Sequence, residues 1–432
     1  MIFRCLFINI LVLLGLTCAY SQEISGAVNE NDSLVKKVHY PRLAKAQTRY
    51  LQWIDKKNRE FPFAVPAIAY NRYDGVQIGA AMVNLRQPVK NIDFTGAMLY
   101  GVKSKKVNGT AKVDYYLRPR KGVLSELKPG VRFQSFSYDD FDKPLKYYAL
   151  QPELKATFRH RTEKLENLSH EVAFRHYSIF RQTAPLVSTI FDESKRYYAN
   201  LLEYKLDFEH RNFPAWALFS LEQTRYFVKS SIELNSFIRY QLKEYNTGVH
   251  FRFFAGGFMW RNNDYRIGRH PEVGFQLNGQ RGEADYLFDD YYFGRGEQEG
   301  FSSRQITRTD GFFKNVAPFT PTEYAASWLM AFNLKIDFPI RYVPLKLFVD
   351  MGYTHNNFFS NGTPLPVKKF QYDAGFMFSF FDEGFEIYFP LLYSKDYKTY
   401  YKANAPKFGQ RVSFLLDLKK LELHKKIRNM KF

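Results

Sequence analysis

Two histidines, His170 and His176, are the first residues in the chain that suggest metal chemistry. They stand six residues apart in a segment of strand character. A zinc site of the His-Glu-x-x-His type instead places its histidines on successive turns of one helical face. The segment therefore does not predict a metal site.

Carboxylates cluster at Asp139, Asp140 and Asp142, and again at Asp289 and Asp290. Such clusters in loops are more often solvated, or bind divalent ions, than catalytic. The chain has no Gly-x-Ser-x-Gly or phosphate-binding glycine motif between a strand and a helix. We therefore expect no enzymatic activity, no catalytic residues, no metal and no cofactor.

The first residues carry an export signal. Arg4 precedes an apolar stretch, and the small residues Ala19 and Ser21 predict cleavage before Gln22. Both cysteines, Cys5 and Cys18, lie in this segment, so the mature chain has no thiol; lipidation at Cys18 is the less favoured alternative. We predict a signal peptide (1–21), a short periplasmic lead-in (22–62), a β-domain (63–421) and a basic periplasmic tail (422–432).

The β-domain consists of segments in which apolar and charged residues alternate. In residues 202–209, Leu202 and Tyr204 point one way while Glu203 and Lys205 point the other, because strand side chains alternate with period two. A soluble sandwich with charged outer faces would also alternate. The segment lengths and the 18% aromatic content favour strands that cross a bilayer between aromatic girdles. The same alternation in the last segment predicts a lipid-facing terminal seam formed by Val412, Phe414, Leu416 and Leu418.

The strand count is even, as expected for a closed membrane barrel. Predicted strands begin near Ala67, Val76, Ile92, Val107, Pro129, Lys146, Leu168, Tyr197, Ala215, Val228, Thr247, Tyr324, Tyr342, Val367, Phe385 and Gly409. One bent strand could replace the first two. Short joins after Asp337 and Phe380 and longer loops at residues 355–366 and 394–407 place both chain ends in the periplasm. The fold predicted is an all-β transmembrane antiparallel barrel of about sixteen strands with a long sixth extracellular loop.

At this point the chain resembles the outer-membrane insertase and translocase superfamily, the bacterial surface antigen family that includes the BAM-complex barrel. The long loop carries Arg295-Gly296, similar to the family's Val-Arg-Gly-Phe/Tyr sequence without its aromatic. The thirteenth strand carries Phe348, Asp350 and Gly352 in the family's Phe-x-Asp-x-Gly spacing. The resemblance implies that Arg295 folds into the lumen and pairs with Asp350; an ordinary loop arginine and an ordinary strand aspartate are the alternative.

The chain also departs from that family. The lead-in is too short for the periplasmic POTRA-type domains of its insertases, and a basic stretch follows the last strand. Other phrases, such as that around Tyr70, look like barrels of exported Bacteroidota proteins. By resemblance we expect a barrel that inserts or exports polypeptides through a seam between its first and last strands. The alternative is a passive channel, or a structural anchor for a periplasmic partner.

Net charge bears on the partners. The formal charge is +19, which suits nucleic acid, an anionic lipid surface or another polyanion. In an exported barrel, lumen lining and contact with lipopolysaccharide account for these lysines and arginines. We therefore expect outer-membrane lipid and lipopolysaccharide as neighbours and no nucleic acid, and we consider a polypeptide substrate and a periplasmic protein as further partners.

Overall fold

The wall of the molecule is one long antiparallel sheet. The computed structural model describes residues 62–84, 91–140, 144–158, 168–182, 196–210, 212–240, 247–262, 273–316, 324–325, 327–338, 344–360, 363–404 and 406–421. The predicted signal peptide, nearly all of the lead-in and the basic tail lie outside these residues.

In the described residues, eleven wall strands precede the long connection and five follow it, so the prediction of about sixteen is confirmed. The first group is β1 (Pro62–Asn71), β2 (Gly75–Asn84), β3 (Ile92–Gly101), β4 (Lys106–Tyr115), β5 (Leu124–Asp140), β6 (Pro144–Phe158), β7 (Leu168–Arg181), β8 (Arg196–Phe208), β9 (Ala215–Thr224), β10 (Phe227–Arg239) and β11 (Gly248–Arg261). Three short strands lie in the connection: β12 (Phe275–Gln276), β13 (Gln305–Ile306) and β14 (Tyr324–Ala325). The last group is β15 (Trp328–Asp337), β16 (Leu345–Ser360), β17 (Thr363–Phe380), β18 (Phe385–Tyr393) and β19 (Ser413–Leu416).

Each wall strand pairs antiparallel with the next in sequence, from β1 to β11, then β11 with β15 and onward to β19. The first two strands are separate and meet at a turn, so they are not one bent strand. The ladders found for the described residues pair β1 with β2 alone, and β19 with β18 and β13. The wall is therefore not closed by direct pairing of its first and last strands.

The predicted alternation of the wall is confirmed where both faces are described. Leu202, Tyr204 and Ile232 are exposed, whereas Glu203 and Glu233 are ion-paired on the other face with Arg175 and Arg252. This is the reverse of a soluble protein, since the apolar side chains are exposed on the outer face and the charged side chains are paired on the inner face. The outward face therefore suits lipid, and the inward face suits a polar lumen.

Two expectations about the connections were wrong. Residues 355–366 are not a long loop, because β16 runs to Ser360 and β17 begins at Thr363. Short turns also join β1 to β2 and β3 to β4, at the same end of the sheet as the long connection. Loop length therefore does not separate the two ends as expected, and the assignment of one end to the periplasm stays a prediction.

Among the described residues, the helices α1 (Lys395–Asn404) and α2 (Phe408–Arg411) lie between β18 and β19, and α3 (Leu418–Leu421) follows β19. None of the helices in the described residues is both long and apolar enough to span a membrane. In α1, Tyr397 and Tyr401 are buried and their hydroxyls contact Asn278 and Asn315 of the long connection at 2.6 and 3.0 Å. The α1 helix and the long connection therefore pack together against the inner face of the sheet.

Candidate functional site

Residues 273–316 of the long connection fill the space bounded by the inward face of the sheet; we call these residues the lumen loop. Its apolar side chains enter three buried clusters with wall residues. In the first cluster, Phe288 stacks on Tyr147 of β6 with ring centroids 3.9 Å apart. In the second, Phe275 lies edge-on to Phe254 of β11 at 5.9 Å. The loop is thus part of the folded core.

The side chain of Arg295 is buried within the lumen loop and is 6% exposed. Its Nη1 donates to the Asp285 carboxylate at 2.8 Å and to the Asp285 carbonyl at 3.0 Å, and its Nη2 donates to the Asp290 carbonyl. The guanidinium lies 4.7 Å from the Phe288 ring centroid and 4.9 Å from that of Tyr292, within cation-π range. Burial alone lowers the pKa of Arg295, but the Asp285 carboxylate together with the Tyr147 and Tyr292 hydroxyls outweighs burial, and the pKa is raised.

The predicted pair between Arg295 and Asp350 does not form. Asp350 is fully buried and accepts hydrogen bonds from Lys314 Nζ and Asn333 Nδ2, both at 2.8 Å. Two pairs thus replace the expected one: Arg295 with Asp285 inside the loop, and Lys314 with Asp350 between loop and wall. A buried guanidinium requires a nearby carboxylate, and Asp285 meets that need locally. No sequence motif pointed to Lys314 or Asp285.

The other predicted site residues also lie at the contact between loop and wall. Phe348 is 2% exposed and packs edge-on to Tyr388 at 6.2 Å. A side chain at Gly352 would place its Cβ 2.6 Å from Leu277 Cδ1, so the glycine lets the lumen loop lie directly on β16. The Gly296 amide donates to the Tyr138 carbonyl at 3.1 Å and to the Tyr73 hydroxyl at 2.8 Å, which ties the loop to β5 and to the turn after β1.

A charged cluster that sequence reasoning missed surrounds Glu383, in the turn between β17 and β18. Its carboxylate contacts Arg308 of the lumen loop at 3.0 Å, Lys346 at 3.3 Å, Lys420 of α3 at 2.8 Å, and Lys335. Burial alone would raise the pKa of Glu383, but Lys335 and the other cations lower it far below its usual value. Residues 381–383 all have positive φ, so the charged cluster is centred on a strained turn. The lysines and arginines of this cluster come from segments far apart in sequence, so no residue spacing could have predicted that they meet.

The terminal strand differs from its prediction. β19 covers four residues only, Val412 precedes it and Leu418 begins α3. Phe414, expected to face lipid, is 3% exposed because Phe301 of the lumen loop stacks on it with ring centroids 4.6 Å apart. The far edge of β19 pairs in parallel with β13, Gln305 opposite Phe414 and Ile306 opposite Leu415.

The histidines have separate partners. His170 Nδ1 contacts the Tyr204 hydroxyl at 2.5 Å, and His176 Nδ1 contacts Asn200 Oδ1 at 2.8 Å. In the described part of the chain, no three His, Cys, Asp or Glu side chains are grouped to hold a metal ion. The acidic cluster at Asp289 serves the loop contact instead, since its carboxylate accepts from the Tyr177 hydroxyl at 2.7 Å.

The fold and the site define the class of protein as a β-barrel of the membrane-spanning kind. Its outward face is apolar, its inward face is charged, and a folded loop occupies its interior.

Among solved structures the chain is similar to BamA from Haemophilus ducreyi lacking POTRA domains 1–3, with 10% identity, a TM-score of 0.45, and coverage of 78% of this chain and 68% of that one. It is also similar to CdiB from Acinetobacter baumannii (10%, TM-score 0.39, covering 82% and 58%) and to the copper transporter OprC (11%, TM-score 0.34, covering 75% and 51%). No protein-family model matches the sequence, and no curated protein matches it.

Proposed function

We propose that this protein is a non-enzymatic outer-membrane barrel that inserts or exports polypeptides through a seam between β1 and β19. The observation that carries the proposal is the four-residue terminal strand, whose far edge is paired with two residues of the lumen loop instead of with β1. The β1–β2 ladder has ten residue pairs and the β18–β19 ladder has four, whereas the β13–β19 ladder has two.

Incomplete pairing between two wall strands costs more free energy in lipid than in water. Backbone N–H and C=O groups at a strand edge find no water in the hydrocarbon region, so a barrel normally closes its edges completely. The short pairing at β19 lets the wall open at one place, and an entering polypeptide can pair with the strand edges that become free. That chemistry suits a polypeptide as the substrate.

The filled interior bears on the alternative of a passive channel. The lumen loop joins all three buried clusters of the described residues, and α1 packs on the loop through Tyr397 and Tyr401. An open pore would require the lumen loop and α1 to move out of the barrel interior. The alternative of a structural anchor depends on the lead-in and on a periplasmic partner protein, and the lead-in lies almost entirely outside the described residues.

Outer-membrane lipid and lipopolysaccharide are the surroundings that the proposal requires, without nucleic acid or a cofactor. The exposed apolar side chains of the wall, among them Ile68, Met98 and Ile238, supply the lipid-facing surface. A periplasmic partner that delivers the polypeptide belongs to the same proposal.

The test is depletion of the protein followed by quantitative proteomics of the outer membrane. We expect a broad loss of other barrels or surface proteins, rescued by the wild type but not by Asp350→Ala or Arg295→Ala. A matched control is Arg118→Ala, which breaks a partly exposed ion pair between the segment after β4 and Glu126 of β5. An unchanged proteome with altered uptake of small solutes would contradict the proposal and support a channel.

A further inference from the structure

The segment of the lumen loop from Phe301 to Ile306 lies at the edge of the wall itself. Wall strands pair antiparallel, whereas β13 in this segment runs parallel to β19 over two residue pairs. The side chain of Ile306 is fully buried with Leu415 of β19 and with Phe348 and Met377 of neighbouring strands. A stretch of loop thus takes the position of a wall strand.

Aromatic packing shows that this segment reaches the outward face. Glu386 and Tyr388 of β18 point inward to the buried charge cluster, so Ile387 between them points outward. Phe414 pairs with Ile387 and therefore lies on the outward side of β19. Phe301, which stacks on Phe414, is itself 50% exposed. The loop therefore covers the terminal strand from edge and face.

The neighbouring part of the loop binds β1 and the turn after it. The Arg72 amide donates to the Phe293 carbonyl at 2.8 Å, and the Tyr291 hydroxyl donates to the Tyr70 carbonyl. Phe293 also lies 6.1 Å from Phe414 by ring centroids, and the Gln305 side chain accepts from the Phe293 amide at 2.8 Å. One loop thus connects the first strand with the last, where the described strands do not pair directly.

We propose that residues 301–306 are a removable wall strand, a latch that closes the seam from within the same chain and leaves when the seam opens. The latch occupies the β19 edge that an extended polypeptide would otherwise pair with. The latch is paired with β19 over two residue pairs and therefore has few backbone hydrogen bonds to the wall. Its detachment requires far less free energy than unfolding of the barrel. Its gating role rests on the proposed function, whereas its detachment does not.

Detachment is tested by thiol labelling, because the mature chain predicted from the sequence has no cysteine. Ile306→Cys and Leu329→Cys are compared as single variants, since both side chains are fully buried and Leu329 contacts the same loop away from β19. In outer-membrane vesicles we expect a maleimide to label the Ile306→Cys variant at least about tenfold faster than the Leu329→Cys variant, as local opening precedes global opening. Equal rates would overturn the latch.

The gating role is tested by a lock. Ile306→Cys with Leu415→Cys joins two facing residues of the ladder, and Gln305→Cys with Phe414→Cys serves if the first pair does not fold. The control is Ala81→Cys with Ala97→Cys, which joins two facing residues of β2 and β3 that stay paired in either state. We expect the locked protein, unlike the control, to fail to rescue the depleted proteome until reductant is added.

The outcomes separate the two proposals. If neither lock forms a disulfide, or if the locked protein rescues as well as the control, the latch is wrong while the proposed function stands. If depletion leaves the proteome unchanged, the proposed function fails, and the labelling rates alone decide whether residues 301–306 detach.

Discussion

Arg295 and Asp285 form an ion pair of 2.8 Å between two buried residues of one loop. The lumen loop therefore has an internal charge pair that stabilises its own fold. Its attachment to the wall depends on other residues, chiefly Lys314 on Asp350 and Arg308 on Glu383.

Arg295→Ala should destabilise the protein by about 3–5 kcal/mol, because it leaves the Asp285 carboxylate buried without its partner. A double-mutant cycle between Arg295 and Asp285 should give a coupling above about 1 kcal/mol, and one between Arg295 and Asp350, which share no partner in the structure, should lie within about 0.5 kcal/mol of zero. Urea unfolding of the barrel in detergent measures both. A large coupling to Asp350 would restore the pair implied by the resemblance.

Lys314→Met should cost a similar amount, about 3–5 kcal/mol, since Asp350 would then be a buried charge without its cation. The double variant Lys314→Met with Asp350→Leu should recover part of that loss, because it removes both charges from the interior. The free energy of unfolding in urea is the measurement. A double variant at least as unstable as the sum of the single variants would show that this pair is not an interacting unit.

Acid should weaken the attachment at Glu383. The folded-state pKa of Glu383 lies below its unfolded value of 4.5, so its contribution is complete above that pH and declines as pH falls toward the folded value. The free-energy difference between wild type and Glu383→Gln should be about 2–4 kcal/mol at neutral pH. It should shrink at about pH 3, where the unfolded state binds the proton.

The control for this pH experiment is Glu126→Gln, whose carboxylate forms the partly exposed ion pair with Arg118 described above. Its difference from wild type should be small at both pH values, because exposed pairs contribute about 0–1 kcal/mol. A Glu383→Gln difference that does not depend on pH would contradict the role given to the charged cluster.

The filled lumen predicts a low conductance. In planar bilayers the wild type should pass little current, whereas replacement of residues 273–316 by a flexible linker should give a large, steady conductance. If that variant does not fold, Asp285→Ala with Lys314→Ala offers a milder loosening of the same core. A wild type that conducts as strongly as the loop replacement would show that the lumen is open despite its packed loop.

The strand pattern was predictable from sequence because it is local. Alternation with period two needs only neighbouring residues, and it correctly predicted that Leu202 faces outward and Glu203 inward. The separation of wall strands by a long connection was equally predictable, and the expected number of strands is confirmed.

The residue contacts inside the lumen depended on the tertiary structure. Arg295 and Asp350 were singled out by their motifs, but many carboxylates can satisfy an arginine, and only the folded loop brings Asp285 to it. Phe414 has the alternation of a lipid-facing residue, yet a distant Phe301 covers it. Two residues that are far apart in sequence can meet in the fold without any pattern in the residue spacing of either segment. Their contact depends on the path of the chain between them. The sequence thus determined which residues face inward or outward along most of the wall, and the tertiary fold decided which of them meet.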